Sequence, residues 1–175
     1  PAEPARKGYA FLGWFTQETG GTQVDGNTVF KEVASTTYYA HWEEATVFSV
    51  IVPAVLPVTV DQNGKVYVSN AEIVNHSTAA VQVSSVTLTA ENGWTLVPYA
   101  SDMSHAKVDS NQIGFKINSA QTSKTGSTEQ LVLTSPWQIN EEESLTLSYD
   151  AVVSALSQPV TNANILSVLF VVEWA

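Results

Sequence analysis

Several residue types are absent from this 175-residue sequence or scarce in it. It has no cysteine, which excludes disulfide cross-links, thiolate catalysis and cysteine-ligated zinc. Lysine and arginine total 7 against 17 aspartates and glutamates, a formal net charge of −10. Without a basic stripe to neutralise phosphates, the sequence predicts no nucleic-acid partner. The longest apolar run, 165–172, is interrupted by Ser167 and is too short to span a membrane. Because disulfide bonds are excluded, the stability of the fold must come from burial of apolar side chains.

The first 42 residues are rich in aromatic side chains set among glycines. An apolar run over Tyr9–Phe15 is broken by Gly13, which predicts a β-strand with a bulge. Gly20 and Gly21 can take positive φ and predict a tight reversal. A second aromatic strand is predicted over Tyr38–Trp42. We expect the aromatic side chains to form a small core and not a ligand platform, because the alternation fits packing and no polar cluster converges on them.

Residues 4–42 resemble the later part of the Listeria–Bacteroides repeat, a small module of secreted bacterial adhesins and internalin-type surface proteins. The family pattern is P-x-x-P-x-x-x-G-Y-x-F-x-G-W-[YF], followed by a Gly-Gly turn and T-x-Y-A-x-W. The matching positions are Pro1, Pro4, Gly8, Tyr9, Phe11, Gly13, Trp14, Phe15, Gly20, Gly21, Tyr39, Ala40 and Trp42. The resemblance implies a partial β-rich module of β-grasp-like type over residues 1–45, in an extracellular protein at the cell surface.

The resemblance also implies that the opening strand of the repeat lies upstream of Pro1. A β module without that strand has unpaired backbone groups at the edge beside Tyr9–Phe15. We therefore expect this edge to pair with the second domain, with the linker or with another copy of the chain.

Residues 46–175 carry β signals almost throughout and no convincing helical period. Asn63–Gly64 and Asn92–Gly93 are hairpin-turn signals. The alternation of apolar residues changes phase at Ser84–Ser85, which predicts a bulge or bend. The last strand, Leu166–Trp174, is apolar on both faces, which predicts a central place in a sheet. About eight or nine strands at this spacing predict an antiparallel β-sandwich, of immunoglobulin-like or jelly-roll type.

The second segment resembles a module of surface proteins of Gram-positive gut bacteria, and this resemblance carries no catalytic motif. The stretches concerned are Val52–Gly64, Ser69–Ser77, Asn92–Leu96, Leu147–Ala151 and Val172–Trp174. Between the two segments, Glu43–Ala45 forms the expected boundary. Because it is short and lacks a glycine-serine tract, we expect the two modules to stay close together.

Residues that could carry chemistry are scattered along the sequence. His41, His76 and His105 stand in no metal-binding spacing, and His41 is expected to face solvent from its strand. Asp61–Gly64 lacks the later acidic ligand of a calcium loop, and Glu141–Glu143 is typical of a solvated acidic surface. No nucleophile elbow accompanies the many serines. The sequence therefore predicts no catalytic residue, no metal site and no cofactor.

An internal Lys–Asn or Lys–Asp isopeptide bond would compensate for the missing disulfides. The candidate lysines are Lys65, Lys107, Lys116 and Lys124. The last strand has no Asn or Asp between Ile165 and Trp174 to act as partner, so no such bond is predicted.

Three classes of function remain open from the sequence. The leading one is a noncatalytic structural or adhesive module of a secreted or cell-wall-associated surface protein. Its partners would be a host protein, a neighbouring surface protein or a glycan, with self-association by strand pairing. The alternative is a carbohydrate-binding module using exposed aromatic rings, with Trp94, Tyr99 and Trp137 as candidate ligand-binding residues. An enzyme is the third class, since fold does not fix function.

Overall fold

The computed structural model describes residues 2–6, 8–29, 35–60, 66–158, 160 and 163–175. The chain divides into two compact units, Pro1–Phe48 and Ser49–Ala175. The boundary expected after residue 45 lies three residues before this division. Among the described residues the only helical segment is a 3₁₀ turn, Met103–His105, and everything else that is regular is β-strand. The predicted all-β fold class is confirmed.

The first unit is an antiparallel sheet of three strands in the order β2-β1-β3. The strands are β1 (Tyr9–Phe15), β2 (Gln23–Val24) and β3 (Tyr39–Glu44). β1 lies in the centre, because it pairs with β3 along its length and with β2 at Trp14 and Phe15. The reversal predicted at Gly20 and Gly21 joins β1 to β2, and both glycines have positive φ.

The edge of β1 that faces away from β3 is partly filled from within the unit. β2 covers it at Trp14 and Phe15, and the Gln23 Nε2 donates a hydrogen bond to the Leu12 carbonyl oxygen at 2.9 Å. The expectation that this edge needs a second domain, a linker strand or another copy is therefore wrong for the end of β1 that includes Leu12 to Phe15. The repeat supplies its own short third strand there.

A β-bulge at Gly13 decides which aromatic side chains of this unit meet. The register of β1 against β3 shifts between Phe11 and Gly13, and Gly13 has a φ of 130°. The extra residue changes the alternation of faces, so Phe11 and Trp14 come together with ring centroids 5.7 Å apart. Phe11 also meets Trp42 of β3 at 5.5 Å. The bulge predicted from the sequence is confirmed, and it assembles the aromatic cluster.

We predict that Gly13→Ala destabilises the first unit by about 1–3 kcal/mol, because an L side chain is strained at this φ. A Cβ at Gly13 would also meet the Gln23 Nε2 at 2.4 Å and displace the amide that caps Leu12. Hydrogen exchange should accelerate at the amides of β1 and stay unchanged in the second unit. Gly26→Ala is the matched control, because nothing lies within 4 Å of a Cβ at that position. Equal exchange rates in the two variants would contradict the prediction.

The second unit contains the remaining strands of the chain. They are β4 (Val50–Ile51), β5 (Val58–Val60), β6 (Val66–Val68), β7 (Ala71–Asn75), β8 (Val81–Ala90), β9 (Thr95–Leu96), β10 (Gln112–Ile117), β11 (Ala120–Gln121), β12 (Thr128–Gln130), β13 (Trp137–Ile139), β14 (Ser144–Leu147), β15 (Tyr149–Val153) and β16 (Leu166–Trp174). Sheets centred on β7, β8 and β10 bury their inner faces in one common core, which is the arrangement of a β-sandwich.

β8 is the central strand of its sheet. β16 pairs with it along one edge for the whole of Leu166–Trp174, and β12 and β13 lie in series along the other edge. The register against β16 shifts between Val171 and Val172, where β8 accommodates one additional residue at Ser84–Ser85. The inward side chains on the two sides of this bulge are Val81, Val83, Val86 and Leu88, all fully buried. The predicted bulge is confirmed, since strict alternation would have turned one of these pairs to solvent.

β10 is the central strand of the opposite sheet. It pairs with β15 on one edge and with β11 and β9 at the two ends of its other edge. The turn predicted at Asn92–Gly93 is confirmed, with φ values of 52° and 80° and a hydrogen bond from the Trp94 amide to the Glu91 carbonyl at 3.0 Å. The chain does not return along β8 as a hairpin, however, because β9 pairs in parallel with β10. Crossing to the opposite sheet buries Trp94 and Leu96 in the core.

β7 pairs with β4 on one edge and with β14 on the other. β5 and β6 form a separate antiparallel pair, in which Val58 lies opposite Val68 and Val60 lies opposite Val66. The hairpin turn predicted at Asn63–Gly64 lies outside the described residues. The side chain of Asn75, at the end of β7, is fully buried and donates hydrogen bonds to the carbonyls of Ala79, Ile139 and Asn140. This one amide therefore joins the β7–β8 turn to the end of β13.

The position of β16 differs from the prediction. A strand apolar on both faces was expected in the centre of a sheet, yet β16 pairs only with β8 in the part of the chain that the structure describes. Leu169 and Val171 on its outer face are 62% and 42% exposed. The side chains of its inner face pack against the core but stay partly exposed. β16 is thus an edge strand among the described residues, although both of its faces are apolar.

Candidate functional site

Trp94 and Trp137, two of the three candidate ligand-binding residues, lie inside the sandwich. Each is only 9% exposed and belongs to the main hydrophobic core. Trp94 follows the Asn92–Gly93 turn as the chain crosses between sheets, and Trp137 opens β13 with its ring on the inner face of the β8 sheet. Neither ring offers a face to a sugar. The structure therefore speaks against these two residues as a carbohydrate platform.

Tyr99, the third candidate, is half-buried beside β10 and β15. Its hydroxyl donates a hydrogen bond to Asp150 Oδ2 at 2.7 Å, and Lys116 Nζ lies 5.9 Å from the centre of its ring. Lys116 and Asp150 are opposite each other in the β10–β15 register. The backbone around Tyr99 lies close to the sheet at Gly114, where a Cβ would meet the Tyr99 Cα at 2.8 Å and the Pro98 oxygen at 3.0 Å. Gly114 thus permits a close approach that holds this aromatic ring at the surface.

The Asp150 hydrogen bond raises the pKa of the Tyr99 hydroxyl above its ordinary value of 10.0, with smaller contributions from burial and from the charge of Asp150. The Asp150 carboxylate accepts a hydrogen bond from the neutral phenol, and its negative charge repels the phenolate. The Tyr99 hydroxyl is therefore already engaged, and its role in the fold is to fasten the 97–100 segment to β15.

The raised pKa of Tyr99 makes its contribution to stability depend on pH. When the pKa of a group is higher in the folded state than in the unfolded state, the group stabilises the fold fully at pH values below its unfolded pKa. This stabilisation is lost as the pH rises through the folded pKa. We predict that Tyr99→Phe lowers the unfolding free energy by about 0.5–1.5 kcal/mol at neutral pH. The difference from the parent chain should shrink above pH 10.0. Chemical denaturation at stepped pH measures this, and a difference that stays constant to alkaline pH would contradict it.

The three histidines lie in separate environments. His41 is half-buried and stacks on Phe15 with ring centroids 3.9 Å apart, and its Nε2 is 2.9 Å from the Gln17 carbonyl oxygen. His41 therefore faces solvent in part, because the stack with Phe15 covers one side of its ring. His76 lies 3.5 Å from Glu142, and His105 lies 3.3 Å from Asp102. Within the described ranges, no three or more His, Asp or Glu side chains cluster closely enough to hold a metal ion.

Several carboxylates hold loops in place. Asp25 accepts a hydrogen bond from the Thr28 hydroxyl, Asp102 caps the 3₁₀ turn through the Ser104 amide, and Asp109 accepts from both the amide and the hydroxyl of Ser157. Such hydrogen bonds lower the pKa of all three carboxyl groups, and for Asp102 the Ser104 side chain contributes more than the Ser104 amide. Such groups are ionised at neutral pH, unlike a general acid, whose pKa would be raised.

Glu129 is a buried carboxylate that the sequence did not single out. It is 6% exposed and accepts hydrogen bonds from the Ser123 amide and hydroxyl and from the Lys124 amide, at 3.0, 2.7 and 3.2 Å. Its position on β12 fixes the loop that precedes the strand. The local sequence does not predict that Glu129 is buried, because β12 has only three residues and its partner strand decides which side chain points inward.

The lysines considered for an isopeptide bond are Lys65, which lies outside the described residues, and Lys107, Lys116 and Lys124, which are all exposed. Lys116 and Asp150 are cross-strand neighbours on the outer face, where both side chains are open to water. Isopeptide formation requires a pair enclosed beside a buried acid. These surface lysines do not meet that requirement.

The aromatic side chains of the first unit form a thin packed layer. Phe11 contacts both Trp14 and Trp42 edge to face. The Arg6 guanidinium carbon lies 3.8 Å from the centre of the Tyr9 ring. The described residues of this unit are all intermediate or exposed, so the expected small core is half open to solvent. A sheet of three strands by itself is too small to enclose large rings completely.

The remaining surface features do not indicate a site for chemistry. A shallow depression of about 360 Å³ is lined by Asn70, Ala71, Glu72 and Thr146, and only Glu72 of these four is titratable. In the described ranges there is no helix with the length and apolar character needed to cross a membrane.

Comparison with known proteins bears on the first unit, whose glycine bulge, Gly-Gly reversal and aromatic strands are described above. Residues 1–41 match the family model of the Listeria-Bacteroides repeat domain. The repeat is found in bacterial surface proteins, which fits a surface module. The match confirms the resemblance drawn from the sequence, and it ends before the sandwich begins. No curated protein and no solved structure matches the chain.

Proposed function

We propose that this chain is a noncatalytic structural or adhesive part of a secreted or cell-wall-associated bacterial surface protein. The observation that carries the proposal is the Listeria-Bacteroides repeat at residues 1–41. The net charge of −10 supports it, because a net charge far from zero helps an exported module to resist aggregation.

The sandwich supports the same function, because its buried and loop carboxylates stabilise the fold. Trp94, Phe115, Trp137 and Tyr149 fill the core. The carboxylates Asp102, Asp109 and Glu129 cap turns and loops. These groups maintain a rigid framework without disulfides. A rigid β-framework suits a module that extends from an envelope and presents its surface to another protein.

Surface location can be tested in the bacterium that makes the protein. We predict that antibodies raised against the 175-residue chain label intact cells, and that brief external proteolysis removes the label while a cytoplasmic marker stays intact. Labelling that requires cell lysis would contradict the extracellular assignment.

Adhesion and glycan binding can be separated at Tyr99. A carbohydrate site would need the ring of Tyr99 and not its hydroxyl, so Tyr99→Phe should retain glycan binding and Tyr99→Ala should lose it. The proposed function predicts instead that binding to immobilised envelope or host proteins is unchanged in both variants. Binding to a glycan array that follows the ring-dependent pattern would replace the adhesive assignment with the carbohydrate-binding one.

A further inference from the structure

β16 leaves one long edge of the β8 sheet open among the described residues. It spans nine residues, Leu166–Trp174, and over Leu166–Glu173 it pairs with β8 on one side only. Two hydrogen bonds at its ends fix the orientation of its backbone. The Ile165 carbonyl accepts from the Glu91 amide at 3.0 Å, and the Ala175 amide donates to the Ala80 carbonyl at 3.1 Å. The odd-numbered residues therefore bond to β8, and the even-numbered residues of β16 direct their N–H and C=O groups away from it.

The two edges of this sheet are protected to different extents. On the opposite edge, β12 and β13 contain three residues each and are separated by residues 131–136, which include Pro136. Short strands, breaks and proline are the usual means of preventing strand pairing at an edge. β16 has no lysine, no proline and no break, and Glu173 is its one charged residue. The bulge of this ladder lies in β8 and leaves the outer line of β16 regular.

The side chains of β16 are apolar on both sides of this open edge. Leu169 and Val171 are 62% and 42% exposed on the outer face. On the inner face Leu166, Val168, Phe170 and Val172 pack against the core yet remain partly exposed. An added strand would cover both sets. An exposed, long and apolar edge strand is a site of pairing with another chain.

We propose that the occupant of this edge is β16 of a second copy, paired antiparallel about a twofold axis at Phe170. This pairing joins the two β8 sheets into one continuous sheet, as in many symmetric dimers. The even-numbered residues at the centre of the strand become the hydrogen-bonded pairs, Val168 with Val172 and Phe170 with Phe170 of the other copy. Their N–H and C=O groups are the ones that already point outward.

The outer face selects this register. With the axis at Phe170, Leu169 lies opposite Val171 of the second copy, and Ser167 lies opposite Glu173. Aliphatic side chains then meet each other, and a hydroxyl donor meets the carboxylate. A shift of the axis by one residue toward the end of the chain would place Glu173 against Leu169, and the opposite shift would place Ser167 against Val171. Only the central register matches polar with polar and apolar with apolar over all nine residues.

The charge of the protein supplies a second signature of this contact. Each copy carries a net charge of −10, so two copies repel each other, while the contact itself contains no pair of opposite charges. Salt screens the repulsion and does not weaken backbone hydrogen bonds or apolar contacts. Self-association should therefore strengthen as salt is added, in contrast to an interface held by ion pairs. The inference does not depend on the proposed surface function.

Sedimentation velocity of the full chain over a range of concentrations tests the proposal. We expect a monomer–dimer equilibrium that shifts toward dimer at higher salt. Leu169→Lys should weaken the dimer by roughly 100-fold, because the twofold axis places the substitution at two positions, each costing about tenfold. Val132→Lys is the matched control, because Val132 is 77% exposed in the broken segment between β12 and β13. Leu12→Lys, at a residue 45% exposed in β1, controls for association through the first unit.

Single cysteines test the register, since the parent chain has none. A mixture of Leu169→Cys and Val171→Cys chains should form a disulfide-linked dimer on mild oxidation, because directly opposite residues lie within disulfide range. Each variant alone should cross-link much less. This readout remains informative even where a lysine substitution affects folding, which circular dichroism would reveal.

Some results would overturn the inference. They are a strict monomer at all concentrations and salt levels, a dimer that Leu169→Lys leaves intact, a dimer lost equally in the Leu12→Lys control, or cross-linking no better in the mixture than in either cysteine variant alone.

Discussion

The sandwich depends on keeping one side of β8 buried along its whole length. β8 is the strand that β12, β13 and β16 all join, so its inward residues determine where the core of that sheet lies. Without an additional residue at Ser84–Ser85, the valine pair before this point and the Val86–Leu88 pair after it would face opposite sides. The bulge keeps both pairs inside, and the rest of the sheet follows its register. Two small hydroxyl residues suit this place, because neither requires burial.

The two units solve the problem of a core in different ways. The second unit encloses Trp94 and Trp137 between its sheets as core residues. The described residues of the first unit form one sheet, and its rings cover one another edge to face. The bulge at Gly13 is the device in the small sheet, as Ser84–Ser85 is in the large one. In both sheets one additional residue corrects the direction of apolar side chains.

The edges of the sheets connect this fold to function. β1 has partners on both sides at its Trp14–Phe15 end, and the edge formed by β12 and β13 is short and broken. β16 has neither form of protection within the described residues. A surface protein that contacts its neighbours through such an edge gains binding energy from backbone groups, and its side chains determine which partner fits. The match of Ser167 with Glu173 and of Leu169 with Val171 favours a second copy over an unrelated strand.

The sequence by itself determined the β class, the two bulges, the tight turns at Gly20–Gly21 and Asn92–Gly93, and the kinship of residues 1–41 with the repeat. These features depend on neighbouring residues: alternation, glycine freedom and motif spacing are all local. Tertiary structure alone decided that Trp94 and Trp137 are buried, that β9 crosses to β10, that Glu129 points inward and that β16 lies at an edge. The physical reason is that exposure of a strand residue depends on which strands and sheets lie beside it. An apolar pattern records that a strand has two apolar faces, and only the assembled sheet shows whether another strand is present to cover them.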